Sequence, residues 1–244
     1  MYDWIVIGGG IHGCTIASFL LKSGKVRAEK LRIIDPYDEP MYSWKKKTEI
    51  IGMEFLRSPS VHHIDVDPFS LQKYAYKENL GKRHFYGIYK RPSLQLFNEH
   101  SESIIKEVDL QRSWHKGFVI SIEKEQEYWK VSTEKGEILI AKNIVLSISI
   151  NNQLNIPDWA HQLRADLPNR VSHIFEENLV HLSSLIPPVG VIGGGITAAH
   201  LTVKLSSLFP GKVFLIKRHP FRICDFDSDP GWLGPKNLKF YHKN

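Results

Sequence analysis

Gly8, Gly10 and Gly13 stand in GGGIHG with the spacing GxGxxG, directly after an apolar run at residues 4–7 and at the head of a segment with helical periodicity. That arrangement suits a pyrophosphate. Gly8 lets the chain leave the strand sharply, Gly10 lets backbone approach phosphate oxygens, and Gly13 lets the helix pack close to the sheet. The helix N-terminus, opened by Ile11 and His12, offers free N–H groups and the positive end of its dipole to the anion. Gly8, Gly10, Ile11, His12 and Gly13 therefore form a first candidate cradle for a dinucleotide. Asp35 closes the next apolar run, LRIID, about twenty residues beyond Gly13, where an acid accepts hydrogen bonds from a ribose. The competing reading is a glycine-rich turn with no ligand.

The chain writes the pattern twice. Residues 191–202 read VIGGGITAAHLT, with Gly193, Gly195 and Ala198 in the three positions, the last needing only a small packing residue. Here the closing strand ends VFLIKR. A carboxylate at that place would repel a 2′-phosphate, whereas Arg218, with Lys217 beside it, pairs with one. The second site is thus read as binding NADPH; NADH with solvated cations, or an empty degenerate site, are the alternatives. Two dinucleotide sites in one chain let an electron pair pass between a resident ligand and an exchanging one, and this order of motifs usually means FAD first and NADPH second.

Each glycine motif lies between two apolar strands and opens a helix, which makes a βαβ unit with parallel strands. Residues 37–111 are less regular and are broken by Ser58-Pro59, Asp67-Pro68 and Arg91-Pro92; within them 70–76 and 93–108 read as helices. Residues 118–122, 128–133 and 137–140 alternate with period two, a small antiparallel meander, and the apolar stretch 143–150 leads back to the parallel sheet. Residues 151–160 read as a linker. The expected fold class is α/β: two Rossmann-like dinucleotide-binding domains with parallel sheets and an antiparallel β-meander. The first domain spans 1–160, with a helical insertion at about 37–111 and the meander at about 117–141. The second spans 161–244 and reads as incomplete.

Bulk properties narrow the function classes. The 244 residues are 42% hydrophobic, enough for a large core, and the net charge of +6 is spread among acids without a block of like sign. With no nucleic-acid motif, nucleic acid is not an expected partner. No apolar run reaches the ~18 residues of a membrane span, and no cleavable signal opens the chain, so a cytoplasmic protein acting on a small molecule is expected. Cys14 and Cys224 make no CxxC pair, which argues for a reducing compartment and against a dithiol redox centre. Cys14 stands at a helix N-terminus, a place that favours thiolate. His62 and His63 lack a third ligand, and Asp225, Asp227 and Asp229 in DFDSDPG lack the rest of a calcium loop; no metal site is expected. A hydrolase elbow GxSxG is missing.

On its two glycine motifs and the strand ending at Arg218, the chain resembles the two-dinucleotide-binding-domain flavoproteins, in particular the flavin-dependent monooxygenases of the siderophore lysine and ornithine N-hydroxylase type. The tract SWKKKTEIIGMEFLRSPSVHHIDVDPFSLQKYA is similar in layout to the stretch that approaches the flavin in that family. The resemblance implies flavin-side roles for Trp44, Met53 and Arg57; core packing or a surface ion pair are their alternatives. It implies an enzyme in which hydride passes from NADPH to FAD and O2 is then activated to hydroxylate a small substrate, an amine among the candidates. A flavin reductase without hydroxylation and a non-catalytic module are the other readings. Because the cofactor carries the chemistry, no catalytic acid, base or nucleophile is named. Two departures stand out. Ser147, Ile148 and Ser149 occupy the place of a glycine-containing turn after the meander, and the chain ends before the family's flavin-covering return segment, as a fragment or a shortened relative would.

Overall fold

The computed structural model describes residues 1–149, 153–168, 170–221 and 223. The first βαβ unit consists of β1 (Tyr2–Ile7), α1 (Ile11–Lys22) and β2 (Leu31–Asp35). β1 pairs in parallel with β2, from Trp4 opposite Leu31 to Ile7 opposite Ile34. Alternate side chains of β1 enter different cores. Val6 joins Cys14, Ala17 and Leu20 of α1, while Ile5 and Ile7 meet Ile34, Val131, Leu139 and Ala141 on the other face. Burial on both faces is why residues 4–7 of β1 read as an unbroken apolar run.

The insertion carries α2 (Tyr42–Ile51), α3 (Ser70–Lys77), the short ribbon β3 (Phe85–Tyr86) with β4 (Arg91–Pro92), and α4 (Leu94–Glu107). Leu71, Leu96, Phe97 and Ile104 pack into the core that α1 faces. Ser93 caps α4, its Oγ accepting from the Leu96 N–H at 3.2 Å. After α4 come β5 (Trp114–Lys116), β6 (Val119–Glu125), β7 (Tyr128–Thr133) and β8 (Ile138–Leu146), and one mixed sheet runs β5-β2-β1-β8-β7-β6.

Two expectations are corrected here. The third meander strand and the apolar return strand are a single strand, β8, whose first half pairs antiparallel with β7 and whose second half pairs parallel with β1. The gap left between them at residues 141–142 belongs to the strand: Lys142 reaches Asp3 at 2.9 Å and the Asn143 amide donates to the Asp3 carbonyl, so both polar groups are satisfied within it. β5, parallel to β2, is too short to show periodicity.

The stretch expected as a linker turns helical at its end: α5 (Asp158–Asp166) starts directly after Pro157, whose fixed φ suits a helix entry. The second βαβ unit is β9 (Val189–Ile192), α6 (Ile196–Leu208) and β10 (Val213–Ile216), with the strands parallel and a small core of Val191, Ala198 and Leu205. Cys224 and the acidic DFDSDPG lie outside the described residues. Among the described residues, no group of three or more His, Cys, Asp or Glu could hold a metal, and no helix is long and apolar enough to cross a membrane.

Where α1 meets the insertion, His62 and His63 sit in a bend, with His62 exposed and His63 buried. The rings of His63 and His100 meet edge-on at 4.9 Å, with Tyr74 at 5.6 Å from His100 and the Ser70 hydroxyl at 2.8 Å from its Nε2. Asp65, paired with Lys22 at 2.8 Å, completes the surround. Burial, reinforced by His63, pushes the His100 pKa down to about 4. The folded protein thus keeps this ring neutral while the unfolded chain protonates it below pH ~6.5, so stability is lost as pH falls through that window and levels off near pH 4. The free energy of unfolding from urea titrations should drop between pH 7 and 5, by ~2 kcal/mol for this group, and His100→Gln should flatten the slope. An unchanged slope in that variant would refute the assignment.

Candidate functional site

The first glycine turn is built against protein on three sides and is open on one. Gly8 has φ +102° and its N–H donates to the Ile34 carbonyl at 2.8 Å, tying the turn to β2. A Cβ at Gly8 would lie 2.5 Å from the Ser147 carbonyl oxygen, and one at Gly13 would lie 1.8 Å from the Gly8 oxygen. Gly9 lies against the Trp114 indole, where an added Cβ would come within 2.0 Å of the ring. At Gly10 an added Cβ meets nothing within 4 Å. The open side is therefore at the start of α1.

That helix start is chemically exposed. Gly10 is the N-cap of α1, no side chain caps it, and its first turn carries no acid; α4, by contrast, is satisfied by Ser93. First-turn N–H groups and a positive dipole end without a side-chain partner match an external anion. The residues present fit a dinucleotide pyrophosphate.

Gly9 is held from both ends of its peptide groups. Its N–H donates to Asp35 Oδ2 at 2.6 Å, and its carbonyl accepts from the Met41 N–H at 2.8 Å and from Cys14 Sγ at 3.3 Å. The other oxygen of Asp35 accepts from the Tyr37 N–H at 3.0 Å. Burial raises the Asp35 pKa against the lowering effect of these two bonds. Each carboxylate oxygen keeps lone-pair capacity for a ribose hydroxyl. Cys14 corrects the thiolate expectation: burial, with nearby Asp35, pushes its pKa up to about 12, so desolvation overrides the helix dipole.

The second turn repeats the first. The Gly193 N–H donates to the Ile216 carbonyl at 2.9 Å, the counterpart of the Gly8 to Ile34 bond. Gly195 caps α6 with no side-chain partner and no acid in the first turn. A Cβ at Gly193 would stand 3.3 Å from the Ala198 methyl, so a small residue at 198 is what the turn tolerates. Lys217 borders the turn, its Cβ 3.7 Å from the Cβ position of Gly194, and both Lys217 and Arg218 are exposed just past β10.

The flavin-side candidates from the resemblance lie on α2 and the chain after it. Trp44 packs its ring edge-on to Phe97 at 5.7 Å and donates Nε1 to Asn98; Met53 packs on the same core. The Arg57 carbonyl accepts from Arg91. His12 is exposed at the first turn of α1. Met41, Trp114 and Tyr37 were missed. Met41 holds the turn by its backbone from a left-handed conformation, φ 61°, which no side-chain pattern announces. Tyr37 also lines a cavity of about 180 Å³ shared with Ser43, Lys46, Lys47 and Phe175.

No protein-family model matches the chain. It is 26% identical over 207 residues to an uncharacterized oxidoreductase, CzcO, of Bacillus velezensis, covering 84% of this chain and 52% of that protein. Among solved structures it is similar to ornithine hydroxylase PvdA from Pseudomonas aeruginosa, with TM-score 0.68 and 21% identity over 100% of this chain and 61% of the other. It is also similar to cyclohexanone monooxygenase from Rhodococcus sp. Phi1 bound to NADP+, with TM-score 0.60 and 22% identity over 89% of this chain and 38% of the other. The chain spans about half the length of the curated relative it matches. Its fold is the Rossmann-type α/β fold of these solved structures.

Proposed function

We propose that the chain is the dinucleotide-handling part of an FAD-dependent, NADPH-using oxidoreductase of the monooxygenase type, acting on a small molecule. One observation carries this reading. Two βαβ units each open a helix whose glycine N-cap lacks a side-chain partner, and opposite charges stand at the ends of their second strands, Asp35 as the last residue of one and Lys217 with Arg218 just past the other. The similarity to an ornithine hydroxylase and to a monooxygenase bound to NADP+ supports it.

Gly10 and the first N–H groups of α1 would hold the FAD pyrophosphate, and Asp35 its adenosine ribose. Gly195 and the start of α6 would hold the NADPH pyrophosphate, and Arg218 its 2′-phosphate. Bound FAD supplies hydride acceptance and electron delivery to oxygen. The chain's own part is to bind, orient and keep water from the rings. We place hydroxylation of a small, amine-bearing substrate at the end of this reaction. Trp44, Met53 and Arg57 are proposed to approach the flavin.

The test is the visible spectrum of the purified chain before and after anaerobic NADPH, followed by aerobic turnover. A yellow protein bleached by NADPH, with hydroxylated product exceeding peroxide, supports the proposal. Stoichiometric peroxide without product would leave a flavin reductase, and a colourless chain inert to NADPH with added FAD would leave a binding module. Arg218→Ala should raise KM for NADPH about tenfold and KM for NADH by less than about twofold, the size of one exposed charge-assisted phosphate contact. Equal changes for both would refute the 2′-phosphate role.

A further inference from the structure

We propose that α2 is a strut that sets the spacing between the two dinucleotide turns, and that Lys204 of α6 is the positioning residue that fixes its far end. The inference rests on the two-site reading above.

The near end of α2 belongs to the first turn. Met41, the residue before the helix and fully buried, gives its N–H to the Gly9 carbonyl, and its own carbonyl accepts the Lys45 N–H that starts the helix. Ten residues long, α2 then runs about 15 Å. At its far end Gly52, at φ +71°, closes the helix with its N–H on Glu49 O and the Met53 N–H on Thr48 O. The last turn of α2 carries no basic side chain, so nothing within it answers the negative end of its dipole.

The second unit supplies that cation. Lys204 Nζ donates to the Glu49 carbonyl at 2.7 Å and to the Ile50 carbonyl at 3.0 Å. Its stem lies over Gly52, where a Cβ would come 2.9 Å from Lys204 Cδ. Gly52 thus serves two ends at once, a left-handed closure and a flat seat for the lysine. Lys204 belongs to α6, the helix capped by Gly195 of the second turn. One continuous path therefore leads from Gly9 through Met41, α2 and Lys204 along α6 to Gly195. Along the same helix, Lys47 lies over the Phe175 ring at 5.6 Å, so the tract leading into the second unit rests on α2 as well.

A spacing device should affect transfer more than grip. The groups that would bind each pyrophosphate are untouched by a change at Lys204, whereas transfer between two bound rings tolerates a misplacement of only about 1 Å.

The test uses the full chain with Lys204→Met, which keeps the stem and removes the cation, and Lys204→Arg, which keeps the charge. Amide hydrogen exchange at residues 49–53, read without cofactor, should quicken about fivefold in Lys204→Met and return toward wild type in Lys204→Arg. In FAD-loaded protein, the limiting rate of anaerobic flavin reduction by NADPH should fall about tenfold in Lys204→Met. Flavin retention and half-saturating NADPH should stay within about twofold, and Lys204→Arg should recover most of the rate. Unchanged exchange would overturn the strut, and a shift in half-saturation with an unchanged limiting rate would overturn the positioning role. A wild type that binds no flavin would sink the redox reading alone, with the exchange measurement still deciding whether the strut exists.

Discussion

Gly13→Ala should dismantle the first glycine turn, whereas Gly10→Ala, three residues away, should leave the fold intact and deprive it of flavin. The difference lies in what each missing Cβ makes room for. At Gly13 the added carbon would lie 1.8 Å from the Gly8 oxygen and 2.9 Å from its carbonyl carbon. Both are backbone atoms of a peptide pinned between β1 and β2, so relief requires moving the helix off the sheet. Overpacking of that kind costs ~3 kcal/mol or more, readable as a fall in the urea midpoint, with flavin lost alongside. At Gly10 the carbon meets nothing, and φ is −72°, so alanine is accommodated and stability should shift by less than ~1 kcal/mol. The methyl group would instead occupy the space a pyrophosphate needs, and flavin retention should fall about a hundredfold, the loss of ~3 kcal/mol of charge-assisted contacts. If Gly10→Ala keeps its flavin, the cradle is not where we place it.

Asp35→Ala should separate binding from stability in the same way. Its carboxylate holds the Gly9 and Tyr37 N–H groups, yet burial raises its pKa above the ordinary value despite those bonds. The folded state therefore binds the proton more tightly than the unfolded one, and ionising Asp35 as pH rises above ~4 works against folding. At neutral pH the desolvation cost offsets much of what the two bonds contribute, so the unfolding free energy from urea titration should move by less than ~1 kcal/mol. Flavin is another matter. A ribose hydroxyl on a carboxylate contributes ~1.5–3 kcal/mol, so retention should fall roughly 10- to 100-fold. Unchanged flavin occupancy in Asp35→Ala, measured by absorbance after gel filtration, would remove Asp35 from the site.

Both βαβ units were legible because each combines three independent signals: an apolar strand, a glycine spacing and a strand-terminal charge. The meander was legible from its alternation, but its last strand was ended at residue 140 and so split from the return strand across Lys142. Polar residues inside a strand look like an ending unless their partner, here Asp3, is known. The groups that orient the first turn were invisible for a different reason. Met41 acts through its backbone, and Trp114 acts by lying beneath Gly9 from an edge strand far along the chain, so neither leaves a local pattern. Cys14 shows the opposite failure. Its position at a helix start was read correctly, but burial reversed the chemical inference. The serines at 147 and 149 looked like a loss where a glycine-containing turn was expected. In the structure the Ser147 carbonyl takes the space that Gly8 leaves free, so the close approach at this crossing is made by backbone.

The strand order also governs how the chain emerges from synthesis. β1 finds β2 within the first unit, but its other edge waits for β8, where Ile7 pairs with Leu146. At roughly 5–20 residues per second that partner arrives on the order of ten seconds later. Throughout that interval this apolar central strand presents an unpaired edge, the kind of template on which nascent chains associate. Recovery of native protein should therefore depend on elongation speed, growth temperature and chaperone supply more than on the final free energy of the fold.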